Sequence, residues 1–420
     1  MVRLKGSFSC VAVYGSLVIF TYLFVAKPSS RPPTDLLDDL EINCTNILQG
    51  LKNEKQLELI NTKMIEDKLW NSTDRCHTVK SMFRFNEVPL SEEEARFPLS
   101  YGLLVYKELS QVLFMLSSIY QPQNEYCIAV GENSASTFLI LLEELSDCFP
   151  NVHFMKRPPI TWGSYEIINS VYDCLKFLSH LKSNWKYFQY LSGVDIPLKT
   201  NLEMVRILKS LNGTANVEIK VYENRRLLGQ NETESPLPLF KSSLSSLIPR
   251  KAANYLASSS IPQQLLEFLR NTWVADEGFW GTLFGNKGLF DVPGSLNFEE
   301  WIYFKENARA NLTKPTDGWF YYISRHQIWF ESGCHNHMKD GSCVFGIGDV
   351  SNLLQAKALV AHKLYLTSEP EAYFCLLKEH RRRTLNPDST FDASKYSELP
   401  QVEISQDRPV SELTHLNWIL

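Results

Sequence analysis

The chain has 420 residues, 44% of them hydrophobic, and a formal net charge of −5. That content supports a sizeable core and excludes a globally disordered chain. The mild acidity excludes the basic footprint that nucleic-acid binding needs, so no nucleic-acid partner is expected.

The first informative segment is Gly6 to Ala26, uncharged and mostly apolar. Its length matches the roughly 20 residues of a membrane-spanning helix. Arg3 and Lys5 precede it, but Lys27 and Arg31 follow, so the charge bias is weak. A cleaved signal peptide is the competing reading; its apolar region is usually shorter, and Val25-Ala26-Lys27 makes a poor cleavage site. The expected order is a cytoplasmic tail over 1–5, a signal-anchor helix over 6–26, and a lumenal remainder. Lys27 to Asp39 holds Pro28, Pro32 and Pro33 among serines and acids, a composition that cannot bury a core and reads as a stem. The stem and a polar helical region together take 27–95.

Glycosylation and cysteine usage agree with an oxidising, lumenal compartment. The sequons at Asn43, Asn71, Asn212, Asn231 and Asn311 all follow the apolar segment. Cys10 falls inside that segment, and the eight that remain are an even number, as disulfides require. No Cys or His grouping has zinc spacing, so no metal site is expected.

From Pro98 the chain becomes regular. Leu109, Val112, Leu113, Leu116 and Tyr120 repeat at helical spacing. Tyr126 to Val130 then reads as a buried strand, Ser134 to Leu145 as an amphipathic helix, and Val152 to Met155 as a strand. Ile168, Val171, Leu175 and Leu178 mark a third helix, and Tyr187 to Leu191 a further strand. Strands alternating with helices predict an α/β fold with a parallel sheet. Ligands of such sheets bind beyond the carboxyl ends of the strands, which directs attention to Gly131-Glu132-Asn133 and Ser192-Gly193-Val194-Asp195. No GxGxxG fingerprint or P-loop follows a strand, which argues against dinucleotide oxidoreductases and P-loop NTPases. The segment over 384–420, with Pro387 and many polar residues, is expected to be a polar tail.

Four runs in order carry a resemblance: Tyr120-Gln121-Pro122-Gln123-Asn124 before Tyr126-Cys127; Ser192-Gly193-Val194-Asp195-Ile196-Pro197-Leu198-Lys199-Thr200; Asp276-Glu277 with Trp280 and Val292-Pro293-Gly294-Ser295; and Cys343-Val344-Phe345-Gly346-Ile347-Gly348-Asp349. Together they resemble the core 2 β-1,6-N-acetylglucosaminyltransferase family, glycosyltransferase family 14. The resemblance implies a GT-A-like, Rossmann-type nucleotide-sugar-binding fold over 96–383 in a Golgi type II membrane protein. It implies inverting transfer of GlcNAc from UDP-GlcNAc to the 6-hydroxyl of galactose or GalNAc in a glycan or glycoprotein acceptor, without metal or cofactor, with a homodimer as the candidate assembly. It also implies the disulfides Cys44–Cys375, Cys76–Cys148, Cys127–Cys174 and Cys334–Cys343.

Inverting transfer needs a base for the acceptor hydroxyl and positive charge for the departing diphosphate. On the resemblance Glu277 is the base, Lys363 contacts the diphosphate, and Leu104, Gly131, Trp162, Ser164, Asp195 and Lys339 line the donor side. Glu218, Arg225, Arg226 and Trp329 are the acceptor candidates. Without the resemblance Glu277 reads as a helix-capping acid, Lys363 as a surface charge and Trp329 as core. Two positions depart from the family pattern. Asp340 stands where a basic residue is usual, and a carboxylate about 5 Å from a phosphate is repelled by roughly 3 kcal/mol. Gly131 stands where an acid holds the uridine, with Glu132 as the candidate substitute. These departures motivate one alternative, a catalytically silent Golgi relative that binds glycans or partner enzymes, and the shared broader fold suggests another, a xylosyltransferase-like activity.

Overall fold

The computed structural model describes residues 35–52, 62–310, 321–406, 408–415 and Trp418. The expected tail and anchor, the start of the stem and Asn311 lie outside the described residues. Among the described residues no helix is long and apolar enough to cross a membrane.

The periodic stretch folds as its apolar spacing requires. Strand β1 (Ser100–Val105) leads through helix α1 (Leu109–Ile119) to β2 (Glu125–Gly131). Helix α2 (Ser136–Ser146) returns to β3 (Val152–Arg157), and helix α3 (Tyr165–His180) crosses to β4 (Tyr187–Ser192). Each helix turns one apolar stripe to the sheet: Val112 and Leu116 on α1, Leu141 and Leu145 on α2, and Val171, Leu175 and Leu178 on α3 are all buried. The strands β1 to β4 are parallel, in the order β3-β2-β1-β4. The sequence reading missed β1, which turns out to be central. Its Gly102 interrupts an otherwise mostly apolar run, and a Cβ there would sit 2.7 Å from Phe188 Cζ. The glycine is the space into which β4 packs its ring.

The direction of winding reverses between β1 and β4, and a crevice opens at the carboxyl ends of the strands flanking such a reversal. A small second sheet completes that end. It orders β5 (Asp195–Pro197), β12 (Val360–His362) and β9 (Arg325–His326) side by side. Two short antiparallel pairs border it: β6 (Lys220–Val221) with β7 (Phe240–Lys241), and the hairpin of β10 (His337–Lys339) with β11 (Ser342–Val344). Strand β8 (Leu247–Pro249) adds antiparallel to β4.

All four disulfides form with the pairing the resemblance implied. Cys127–Cys174 ties β2 to α3, and Cys334–Cys343 closes the β10–β11 hairpin. Cys44–Cys375 fastens the short helix Cys44–Leu48 to the long helix Pro370–Leu385. The sequons at Asn43, Asn71, Asn212 and Asn231 are exposed. The segment after Arg383 is not a loose polar tail: Tyr396, Leu399, Val402 and Trp418 are buried, and the Lys357 ammonium lies 4.2 Å from the Trp418 ring centre. Its few apolar residues are spaced widely enough to hide in a count of polar ones.

Cys44–Cys375 closes a loop of 331 residues, so its loss frees the unfolded chain and detaches the stem-side helix. Replacing Cys44 and Cys375 together by serine is expected to cost roughly 2–5 kcal/mol of stability. Calorimetry on a chain spanning residues 35–420 checks this, and an unchanged melting temperature is the contrary result.

Candidate active site

Five elements converge beyond the ends of β1 and β4. The loop after β4 brings Asp195, whose carboxylate is buried. Its Oδ2 accepts from Arg325 at 2.6 Å and from the Ser192 N–H at 2.7 Å, while Oδ1 faces His362 Nδ1 at 2.7 Å. Burial alone would raise this carboxyl, but Arg325 and then His362 outweigh it and hold the pKa below the ordinary value. Burial also drives the His362 pKa down despite Asp195 beside it. Asp195 was expected to touch the donor; its oxygens are instead spent on joining β4, β9 and β12, which makes it the anchor of the site.

At one end lies the carboxylate group of residues. Val274 adopts a left-handed φ of 56° and turns the chain into the single turn Ala275–Gly278. Glu277 Oε2 sits 2.6 Å from Arg226 Nη2 and 3.4 Å from Lys241 Nζ. Glu223 neutralises the same two cations, 3.7 Å from Arg226 and 3.6 Å from Lys241. Arg226 is buried, 5.1 Å from the centre of the exposed Trp273 ring. Arg225 is exposed and pairs with Glu223. Glu218 pairs with Lys220 at 2.6 Å, and Lys220 is directly across the β6–β7 ribbon from Lys241. Three of the acceptor candidates, Glu218, Arg225 and Arg226, therefore gather with Glu277.

Asp276 is the unusual member. Its Oδ1 is buried and finds no hydrogen-bond partner. Desolvation, then the neighbouring Glu277, pushes its pKa up to about 7, although Arg226 and Arg325 pull the other way. Tyr190 on β4 feels both Asp276 and Asp195, so the carboxylate end and the Asp195 anchor share one electrostatic neighbourhood.

At the other end lies Lys363, next to His362 and buried. Its Nζ donates to the Lys339 carbonyl at 2.5 Å and stands 3.8 Å from the Asp340 carboxylate. Burial lowers its pKa and Asp340 opposes that shift. Asp340 thus does not turn away: with a left-handed φ of 49° it forms the hairpin turn over the lysine. The exposed Lys339 projects over the Tyr365 ring at 4.8 Å. A recess of about 330 Å³ opens alongside, lined by Lys107, His337, Lys339, Tyr365 and Ser368. Trp329 belongs to this end, since a Cβ on Gly341 would lie 3.9 Å from its ring.

The remaining donor candidates flank the crevice. Leu104 is half-buried near the end of β1. Trp162 is 72% exposed, and the adjacent Gly163 approaches Val274 of the Glu277 turn, its Cβ position 3.7 Å from Val274 Cγ2. Ser164 starts α3, and its Oγ accepts from the Thr161 N–H. Gly131 ends β2, where a Cβ would be 2.6 Å from Asn133 Oδ1. Asn133 fills that space itself, accepting from the Ile160 N–H at 2.9 Å and donating to the Ile160 carbonyl at 2.8 Å. Glu132, the residue after it, is exposed and pairs with Lys156 at 3.4 Å. Sequence reasoning missed Arg325, Lys241, Glu223, His362 and Trp273. His362 beside Lys363, Glu223 just before Arg225, and Trp273 three residues before Asp276 lay close enough to recognised positions to be noticed, whereas Arg325 and Lys241 did not.

The family model described as Core-2/I-Branching enzyme matches residues 99–354. Among curated relatives, the human beta-1,3-galactosyl-O-glycosyl-glycoprotein beta-1,6-N-acetylglucosaminyltransferase is 30% identical over 388 residues, 82% of this chain and 86% of its own length. The human N-acetyllactosaminide beta-1,6-N-acetylglucosaminyl-transferase is 29% identical over 350 residues, 77% of this chain and 83% of its own. A solved mannosyltransferase, Ktr4p of S. cerevisiae, is 12% identical, covering 56% of this chain and 77% of its own with a TM-score of 0.26, too low to bear on the fold.

The Asp276 carboxyl gives a stability prediction. Its folded pKa of about 7 lies above the ordinary 3.8, so the folded state holds a proton that the unfolded chain has lost. Stability therefore falls as pH rises from about 4 to about 7, by up to roughly 4 kcal/mol. Asp276→Asn removes that loss, and its melting temperature should exceed the wild type's by more at pH 8 than at pH 5. An advantage independent of pH would contradict the assignment.

Proposed function

The chain belongs to the Core-2/I-Branching enzyme family, and from that membership and the site we propose that it transfers GlcNAc from UDP-GlcNAc to the 6-hydroxyl of a galactose or GalNAc in an O-glycan, on a GT-A-like fold and without a metal. The observation that carries the reading is Glu277: a half-buried carboxylate held by Arg226 and Lys241 at a strand-end crevice, with the cationic Lys363 across the Asp195 anchor. In this mechanism Glu277 takes the proton of the acceptor hydroxyl. The freed oxygen attacks the anomeric carbon of the donor from the face opposite the diphosphate. The carbon–oxygen bond to phosphate breaks with its electron pair, and UDP leaves with the charge that Lys363 and Lys339 offset. Arg226, Glu218 and Arg225 place the acceptor, and Trp329 and the exposed Trp273 offer rings for sugar stacking.

The same proposal sets the body in the Golgi lumen, anchored by residues 6–26. Four disulfides and the exposed sequon asparagines support an oxidising, glycosylating compartment. One observation favours the second reading, a silent relative: Asp340 occupies the ammonium that would meet the diphosphate.

Two measurements on the purified lumenal protein separate these readings. Glu277→Gln, assayed with UDP-GlcNAc and an O-glycan acceptor in EDTA, should lose about 10²–10⁴ in kcat and keep its UDP affinity. Wild-type transfer that disappears in EDTA would sink the metal-free step, and no heat on adding millimolar UDP would favour the silent relative. Asp340→Asn should tighten UDP binding about tenfold, less than the unscreened repulsion because Asp340 is exposed. Unchanged affinity would mean that Asp340 leaves Lys363 without hindrance.

A further inference from the structure

We propose that Asp276 works as a neutral carboxylic acid, a positioning residue that leaves the Arg226 guanidinium to Glu277, and that its ionisation disengages that pair. The proposal deepens the transferase reading above and rests on it for its kinetic test.

Three observations carry it. First, Asp276 Oδ1 is sealed from solvent without a hydrogen-bond partner, so that a charge on this carboxyl loses hydration that its own backbone N–H only partly replaces. A proton on the carboxyl removes that cost. Second, the buried and half-buried ions around it already balance. The carboxylates Glu223, Glu277 and Asp195 face the cations Arg226, Lys241 and Arg325, three against three, with Arg225 exposed and left aside. An ionised Asp276 makes a fourth anion with no cation of its own. Third, Arg226 has a spare donor: Nη1 is buried and makes no hydrogen bond, while Nη2 holds Glu277 and Nε faces Glu223 at 3.7 Å.

The groups facing Asp276 come from each packed element: Glu277 on its own turn, Arg226 from the turn Asn224–Leu227, Arg325 from β9 and Tyr190 from β4. Asp276, with its pKa pushed up to about 7, changes charge near neutrality. As it ionises, the spare edge of Arg226 gains a competing anion. The guanidinium is then drawn off Glu277, and the base loses the contact that aims it at the acceptor. No covalent step is involved; one proton leaves to solvent.

The test compares kcat/KM for the acceptor against pH in the wild type and in Asp276→Asn, whose amide mimics the neutral acid. The wild type should fall severalfold between about pH 6.5 and 8.5, and the variant should stay active and flat over that range. A variant with the same alkaline limb, or one that binds UDP normally and transfers nothing, overturns the proposal. A second measurement needs no substrate. Difference infrared spectra of the wild type should show one protonated-carboxyl carbonyl band that fades on going from pH 6 to pH 8 and is missing in Asp276→Asn. An absent band overturns the proposal independently. If wild-type protein transfers no sugar at any pH, the transferase reading fails, and the infrared band still decides whether Asp276 holds its proton.

Discussion

The buried contact between Asp195 and its two partners, Arg325 and His362, is the constraint on which the site depends. It joins the end of a parallel strand to two strands that arrive from far along the chain. A buried carboxylate cannot be left with one partner missing, because the remaining charge would lie uncompensated in a low-dielectric interior. The second small sheet is therefore locked to the first at the point where the winding reverses. Lys363 follows His362 directly, and Arg325 reaches toward the Glu277 turn, so both chemical ends take their positions from this one cluster.

Around that anchor the protein separates charges rather than pooling them. Glu277 keeps two cations and Asp276 keeps none, although the two are neighbours in sequence. Two adjacent carboxyls in such different surroundings acquire different affinities for protons. At the other end the hairpin closed by Cys334–Cys343 sets a carbonyl and a carboxylate on Lys363. The buried Lys363 ammonium is thus engaged by its own hairpin.

Gly131 shows how a departure from a family pattern becomes legible only through its neighbours. Asn133 and the Ile160 backbone fill the volume that an acidic side chain would need. Glu132, the neighbour in sequence, lies in the turn after β2 and pairs with Lys156 on the surface.

Local pattern by itself determined the three crossover helices, most strands around them and the parallel sheet, because one-sided burial imprints a period on consecutive residues. Resemblance in ordered motifs directed attention to Glu277 and Lys363 and to the cysteine partners. What only tertiary structure decided was the central strand, whose glycine hides its character, the burial of the C-terminal segment, and which charges touch. Arg226 with Glu277, Arg325 with Asp195 and Asp340 with Lys363 are contacts between segments that no periodicity links. Charge pairing depends on distance in space and on loss of water, and neither quantity is written in the order of residues along the chain.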